Sequence, residues 1–279
     1  MKNILIPTDF SENSWNAIKY GINYLKKKRC NFYLLHVSMI SYTTGAEIPI
    51  IPSTDILEKT VLSQAKKSLK AQLEKIKDTF QNPKHHFFTV STYNFFIEAI
   101  KEQIEEKGID LIIMGTKGAS GLQEVIIGSN AADLITRIKC PTLIIPENAQ
   151  FKPIKEIAFP TDYNLYYHSS ILDSIANLVK MFKSSLRILH VAKKSEELTS
   201  FQIENKELLE DFFAFEKHSF HKITNSKIEE GVQCFVESRD IDMIVMIAKN
   251  LNIFQRILFK PTVTEISYHT DIPFFVLHE

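Results

Sequence analysis

The chain has 279 residues, enough for two domains of ordinary size. Its 44% hydrophobic and 24% charged content argues against disorder. Lysine plus arginine and aspartate plus glutamate number 33 each, so no global field draws the molecule to nucleic acid or to acidic lipid. No apolar run approaches the ~20 residues of a membrane span, and no membrane partner is expected.

In chain order, the first element is a short apolar strand, Ile4-Leu-Ile-Pro-Thr-Asp9, too brief for the core of a signal peptide. Three scattered cysteines, Cys30, Cys140 and Cys234, form no C-x-x-C pair, which suits a reducing compartment; a cytoplasmic protein is expected. Trp15, Ile18, Ile22 and Leu25 then mark one face of a helix, with Lys26-Lys-Lys-Arg29 expected at its end, where cations suit the dipole. A second strand runs through Leu34-Leu-His-Val37. Asp55 followed by Glu58 resembles a capping box opening a helix toward Phe80, and His85-His86 begin a third strand. Ile97, Ile100 and Ile104 predict another helix. Leu111–Met114 is apolar at consecutive positions, as in a strand buried on both faces. A glycine-rich segment follows, then a helix carrying Leu134, Ile135 and Ile138, then a last strand over Thr142–Ile145. Alternating strands and helices of this kind imply right-handed crossovers in an open, doubly wound parallel sheet.

The whole series then repeats. Ile157-Ala-Phe-Pro-Thr-Asp162 matches the first strand, Ile188-Leu-His-Val191 the second, Asp240-Ile-Asp-Met-Ile-Val-Met246 the fourth and Ile272-Pro-Phe-Phe-Val-Leu277 the fifth. Early matches are displaced by 153 or 154 residues and late ones by 132, so the second copy has lost about twenty residues, expected near the counterpart of Ser38 to Ser63. A unit this long is a duplicated domain rather than a solenoid repeat. The joint falls in the polar stretch Glu147–Pro153, giving domains 1–147 and 148–279.

Four of the eight glycines lie between Gly115 and Gly128, in Met114-Gly-Thr-Lys-Gly-Ala-Ser-Gly-Leu-Gln-Glu-Val-Ile-Ile-Gly-Ser-Asn130. The segment follows a buried strand and precedes a helix. Glycine there is expected to supply positive φ and a backbone that a ligand can approach closely. Gly128-Ser129-Asn130 opens the helix, where free N–H groups and the dipole attract phosphate. Neither the Walker A pattern nor G-x-G-x-x-G occurs; the spacing is G-x2-G-x9-G-S over Gly115, Gly118, Gly128 and Ser129.

With the Pro-Thr-Asp strand end, the His-Val pair, the Met-Gly loop and the Cys140-Pro-Thr-Leu-Ile-Ile-Pro146 ending, this order resembles the nucleotide-binding branch of the universal stress protein family over nearly the whole chain. The resemblance implies two tandem Rossmann-like domains of the adenine nucleotide alpha hydrolase-like kind, each an open five-stranded parallel sheet flanked by helices. It implies ATP, or ADP or AMP, as ligand. Any magnesium would arrive with the triphosphate. Pro7, Thr8 and Asp9 would lie against adenosine, Val37 against adenine, and Met114 and Gly115 on the floor. Gly118, Gly128, Ser129 and Asn130 would take ribose and phosphates. The family's antiparallel pairing of fifth strands would occur inside one chain, through Thr142–Ile145 and Phe274–Leu277. A further homodimer and a protein partner fit the same reading. Asp9, with Ser11 and Ser14 nearby, is also a natural helix cap.

The ungapped second copy sets Ile247 opposite Gly115, Asn250 opposite Gly118, Lys260 opposite Gly128 and Pro261 opposite Ser129. A β-branched residue tolerates positive φ poorly and proline has no N–H, so one nucleotide per chain is expected. No catalytic residue is assigned. A slow ATPase or nucleotidyl-transfer enzyme, and a scaffold without nucleotide, are the rival readings. His36 and His190 are expected to be hydrogen-bonded at strand ends, and Asp110 and Asp242 to serve turns or caps. His218 and His221 have the spacing of a metal pair on a helix face but no third ligand, so no metal is expected.

Overall fold

The computed structural model describes residues 1–38, 54–116, 128–195, 197–248 and 271–278, with backbone alone for 54–58. The first half runs β1 (Lys2–Pro7), α1 (Glu12–Tyr24), β2 (Cys30–Ser38), α2 (Thr54–Thr79), β3 (His85–Tyr93), α3 (Phe96–Lys107), β4 (Leu111–Gly115), α4 (Ser129–Arg137) and β5 (Thr142–Ile145). The second runs β6 (Glu156–Pro160), α5 (Ser169–Phe182), β7 (Ser185–Ala192), α6 (Ser200–Phe212), β8 (His218–Thr224), α7 (Ile228–Ser238), β9 (Met243–Ile247) and β10 (Phe274–Leu277). The missing twenty residues divide between two places. Helix α6 has 13 residues where α2 has 26, and the stretch before it, 193–199, is shorter than 39–53. The Asp55 and Glu58 side chains lie outside the described residues.

All ten strands form one sheet, in the order β3-β2-β1-β4-β5-β10-β9-β6-β7-β8. Each half is parallel and repeats the same order about its own first strand. The halves meet where β5 and β10 pair antiparallel, Phe274 opposite Ile144 and Val276 opposite Thr142. The consecutive apolar residues of β1 show why. Ile4 and Ile6 pack on one face with Trp15 and Ile18, and Leu5 packs on the other with Ile100 and Ile112. Alternating side chains that all end buried need a layer on each face.

Asp110 and Asp242 share a purpose that the sequence left general. Asp110 accepts from the Asn3 N–H at 2.8 Å, and Asp242 from the Lys155 and Glu156 N–H groups at 2.7 and 3.0 Å. Each aspartate holds the start of its half's first strand. The Lys26–Arg29 run departs from expectation: α1 ends at Tyr24, and the cations fall in the following turn rather than in the last helical turn.

The connection between halves is held by α1. The Asn16 amide nitrogen lies within 2.9 to 3.3 Å of the carbonyls of Pro146, Glu147 and Ala149. On that face Tyr20 meets Phe151 edge-on and Tyr24 meets Phe182, so the core continues from one half to the other.

Candidate functional site

In the first half the strand order reverses between β1 and β4, whose crossovers leave in opposite directions. That reversal opens a crevice beyond the carboxyl ends of the strands. A small cleft of about 130 Å³ lies there, open to solvent at its mouth. Pro7, Thr8, Asp9, Val37, Met114, Gly115, Gly128, Ser129 and Asn130 all line it. Gly118, the tenth expected residue, lies outside the described residues. Ser14, Leu35, His36, Phe96, Thr116 and Ala131 complete the lining and were missed by sequence reasoning, although His36 stands beside Val37 in the same quoted motif.

The turn after β1 is held by several hydrogen bonds. The Thr8 N–H donates to Leu35 O at 2.8 Å. Thr8 Oγ1 accepts from the Phe10 N–H at 3.1 Å and from Gln72 Nε2 at 3.2 Å. The Ser14 hydroxyl donates to Ser11 O, so Thr8 must spend its single proton on Ser14 Oγ, 3.1 Å away. Thr8 therefore offers the cleft van der Waals contact rather than a side-chain donor. Asp9 differs from the capping expectation. The N-cap of α1 is Ser11, which accepts from the Ser14 N–H, and Asp9 Oδ1 accepts from both the N–H and the hydroxyl of Ser11. Asp9 thus holds the cap in place. His36 Nδ1 lies 2.8 Å from Thr8 O, so it carries the proton, and Phe10, at a left-handed φ of 66°, stacks on the imidazole.

At Gly115 size rather than torsion decides. Among the described residues the one glycine at positive φ is Gly108, the C-cap of α3. Gly115 has an ordinary φ, but a Cβ there would stand 2.8 Å from Asn13 Oδ1. Gly128 has φ −65° and ψ 159° and is the N-cap of α4. That corrects the positive-φ expectation at both positions. Gly128 supplies no side-chain acceptor to the α4 amides, and its own N–H donates to Thr116 O at 2.6 Å. The first turn of α4 therefore offers backbone donors beside an apolar floor of Val37 and Met114. An apolar wall for a base next to uncapped amides for an anion is a donor set that fits an adenine nucleotide.

The sequence pattern of the universal stress protein family matches residues 1–146. The chain belongs to that family. A universal stress protein of Methanocaldococcus jannaschii is 31% identical over 155 residues, covering 56% of this chain and 85% of the relative. One from Synechocystis is 24% identical over 290 residues and covers 98% of both chains, so the likeness extends through the second half. The crystal structure of a universal stress protein from Archaeoglobus fulgidus superposes with a TM-score of 0.71 at 15% identity, covering 99% of this chain and 98% of that one.

In this universal stress protein the second half repeats the strand-end turn closely. His190 Nδ1 donates to Thr161 O at 3.0 Å, Tyr163 takes a left-handed φ of 59° and stacks on His190, and the Tyr163 N–H donates to Thr161 Oγ1 at 3.0 Å. The space beyond that turn differs. Gln202 and Asn205 of α6 reach over to donate to the carbonyls of Asp162 and Tyr163 at 2.7 and 2.8 Å. Ile247 stands where the first half has Gly115 and is buried. Gly231 lets α7 settle on Val191, the counterpart of Val37; a Cβ there would lie 2.7 Å from Val191 Cγ1. Asn250, Lys260 and Pro261 lie outside the described residues.

His218 and His221 lie on strand β8, not on a helix, so a spacing of three turns them to opposite faces. Ser219 and the Glu216 carbonyl engage them. Among the described residues no group of three His, Cys, Asp or Glu side chains could hold a metal, and no helix is long and apolar enough to cross a membrane.

Proposed function

We propose that this universal stress protein is an ATP-binding regulatory protein of the cytoplasm, holding one adenine nucleotide per chain in its first half. The observation that carries this reading is the convergence of nine residues, drawn from β1, β2, β4 and α4, on one cleft at the reversal of strand order. Adenine would lie against Val37, with Pro7 and Asp9 beside the nucleoside and Met114 and Gly115 beneath it. The amides of Ser129 and Asn130, together with the Ser129 hydroxyl, would hold the phosphates, and Gly118 would contribute from the same loop. Magnesium, when it accompanies the triphosphate, would keep most of its water.

The functional division would be 1–147 for the nucleotide domain and 148–279 for a domain that supplies the partner face through β10. The proposed ligand supplies charge and shape for recognition; the chain's residues orient it and no bond-breaking step is assigned to them. The test is mass spectrometry of the small molecules released from the purified native protein, followed by calorimetry with ATP. One adenine nucleotide per chain supports the proposal. Two equivalent sites would refute the single-site reading. Prolonged incubation with ATP should leave it intact, and steady appearance of ADP by chromatography would favour the enzyme.

A further inference from the structure

Helix α4 belongs to both halves. Its residues divide into two apolar stripes four apart. Leu134 and Ile138 pack with Leu5, Ile100 and Ile112 of the first half. Ala131 and Ile135 pack into a second cluster with Val232, Phe235, Phe274 and Val276 of the second half. One stripe per half is what a helix at a seam requires. The same helix begins at the cleft, where Ser129, Asn130 and Ala131 are part of the lining.

The far end of α4 is completed from the second half. The last carbonyls of a helix have no donor within it. Here the Ile138 N–H closes onto Leu134 O at 3.0 Å, and Ile135 O comes next in line with no helical partner. His278, directly after β10, places Nε2 2.7 Å from Ile135 O. A carbonyl only accepts, so Nε2 carries the proton and donates. The second half thus supplies a C-terminal cap to the helix whose N-terminus faces the cleft. Ser129 and Ile135 are six positions apart, about 9 Å along the axis.

We propose that His278 is a positioning residue for the phosphate-binding end of α4, and that nucleotide occupancy in the first half is thereby coupled to the docking of the second. This rests on the nucleotide reading above. A short helix packed on both sides moves as a unit, so tethering one end restricts the other. Coupling between two such states is reciprocal: a nucleotide that prefers the docked helix tightens the His278 contact by the same factor.

The test uses the full chain, His278→Phe, which keeps a ring without the N–H, and His278→Gln, whose amide can restore a donor. In nucleotide-free protein, hydrogen exchange over residues 129–137 should quicken roughly five-fold in His278→Phe, the factor one ordinary hydrogen bond is worth. ATP affinity by calorimetry should fall by a similar factor. His278→Gln should recover both, while exchange over Thr142–Ile145 stays unchanged. Wild-type protein gives a check that needs no variant: ATP should slow exchange over residues 274–278. Wild-type binding of ATP with no change at 274–278, or with full affinity retained in His278→Phe, overturns the coupling and leaves the nucleotide site standing. Absence of ATP binding to the wild type overturns both, and exchange at 129–137 then shows whether the cap acts on the helix alone.

Discussion

At the end of β1 an imidazole donates to Thr8 O and an aromatic ring at left-handed φ covers it; at the end of β6 the same arrangement stands at Thr161. Around these matched turns the two halves part company. His36 and Met114 line an open cleft, whereas their counterparts His190 and Met246 are 6% and 2% exposed. Gln202 and Asn205 have taken the carbonyls beyond the turn, Ile247 fills the glycine position, and α7 lies on Val191. The difference teaches that the strand-end turn is a folding device of its own, formed whether the described residues beside it are exposed or buried. Hydrogen bonds made within the turn are satisfied either way, and a closed cleft gains the apolar contacts that an open one forgoes.

The largest expected effect comes from moving a second-half residue into the first. Ser129→Pro copies Pro261 onto the first position of α4, where proline is tolerated and the preceding Gly128 already has the extended backbone that proline requires. Helix content by circular dichroism should hold. Loss of one amide donor to a charged phosphate should cost about 1.5–3 kcal/mol, roughly ten- to a hundred-fold in ATP affinity by calorimetry. Equal affinity would show that the α4 amides do not hold the ligand.

A smaller effect is expected from the reverse exchange. Gly231→Ala installs in α7 the residue that α3 carries as Ala99, and its Cβ would meet Val191 Cγ1 at 2.7 Å. Overpacking of about 1–3 kcal/mol outweighs the ~1 kcal/mol that alanine gains in a helix, so the urea midpoint should fall slightly. A rise would mean that α7 stands off Val191 and that the second cleft is less closed than described.

The mildest effect is shared by both halves and the seam. Burial lowers the titration of His85, His221 and His278 below the ordinary imidazole value. The unfolded chain, titrating near 6.5, then binds more protons than the folded one. Stability from these groups is complete above about pH 7 and is lost as pH falls through 6.5 toward their lowered folded values. Denaturant midpoints measured from pH 7.5 to 5.5 should decline, and His278→Gln should decline less steeply.

Much of this was legible in the chain. Consecutive apolar residues such as Leu111–Met114 announce a strand covered on both faces, and the spacing of Ile97, Ile100 and Ile104 announces a helix, because both patterns record burial by close neighbours in sequence. The cleft was legible through its glycines and the Pro-Thr-Asp end. The reasons behind individual residues were less so. Gly115 is small because Asn13 approaches it, not because of its torsion; Asp9 serves Ser11; and His218 and His221 take the two faces of a strand. Each depends on a side chain arriving from elsewhere or on a period that two histidines alone do not reveal.

By itself the sequence determined two copies of one α/β unit, their strand order of appearance, and the half in which a helix start follows a glycine. Those are local matters of periodicity, torsional permissiveness and missing N–H groups. The joining of the copies through β5 and β10 was implied by the family resemblance and not by any pattern in the chain, whereas tertiary structure alone decided that α4 packs on both copies and that His278 reaches Ile135, 143 positions away. Contacts at such separation leave no periodic trace in the chain, since they are selected by the fit of surfaces that exist only once each half has folded.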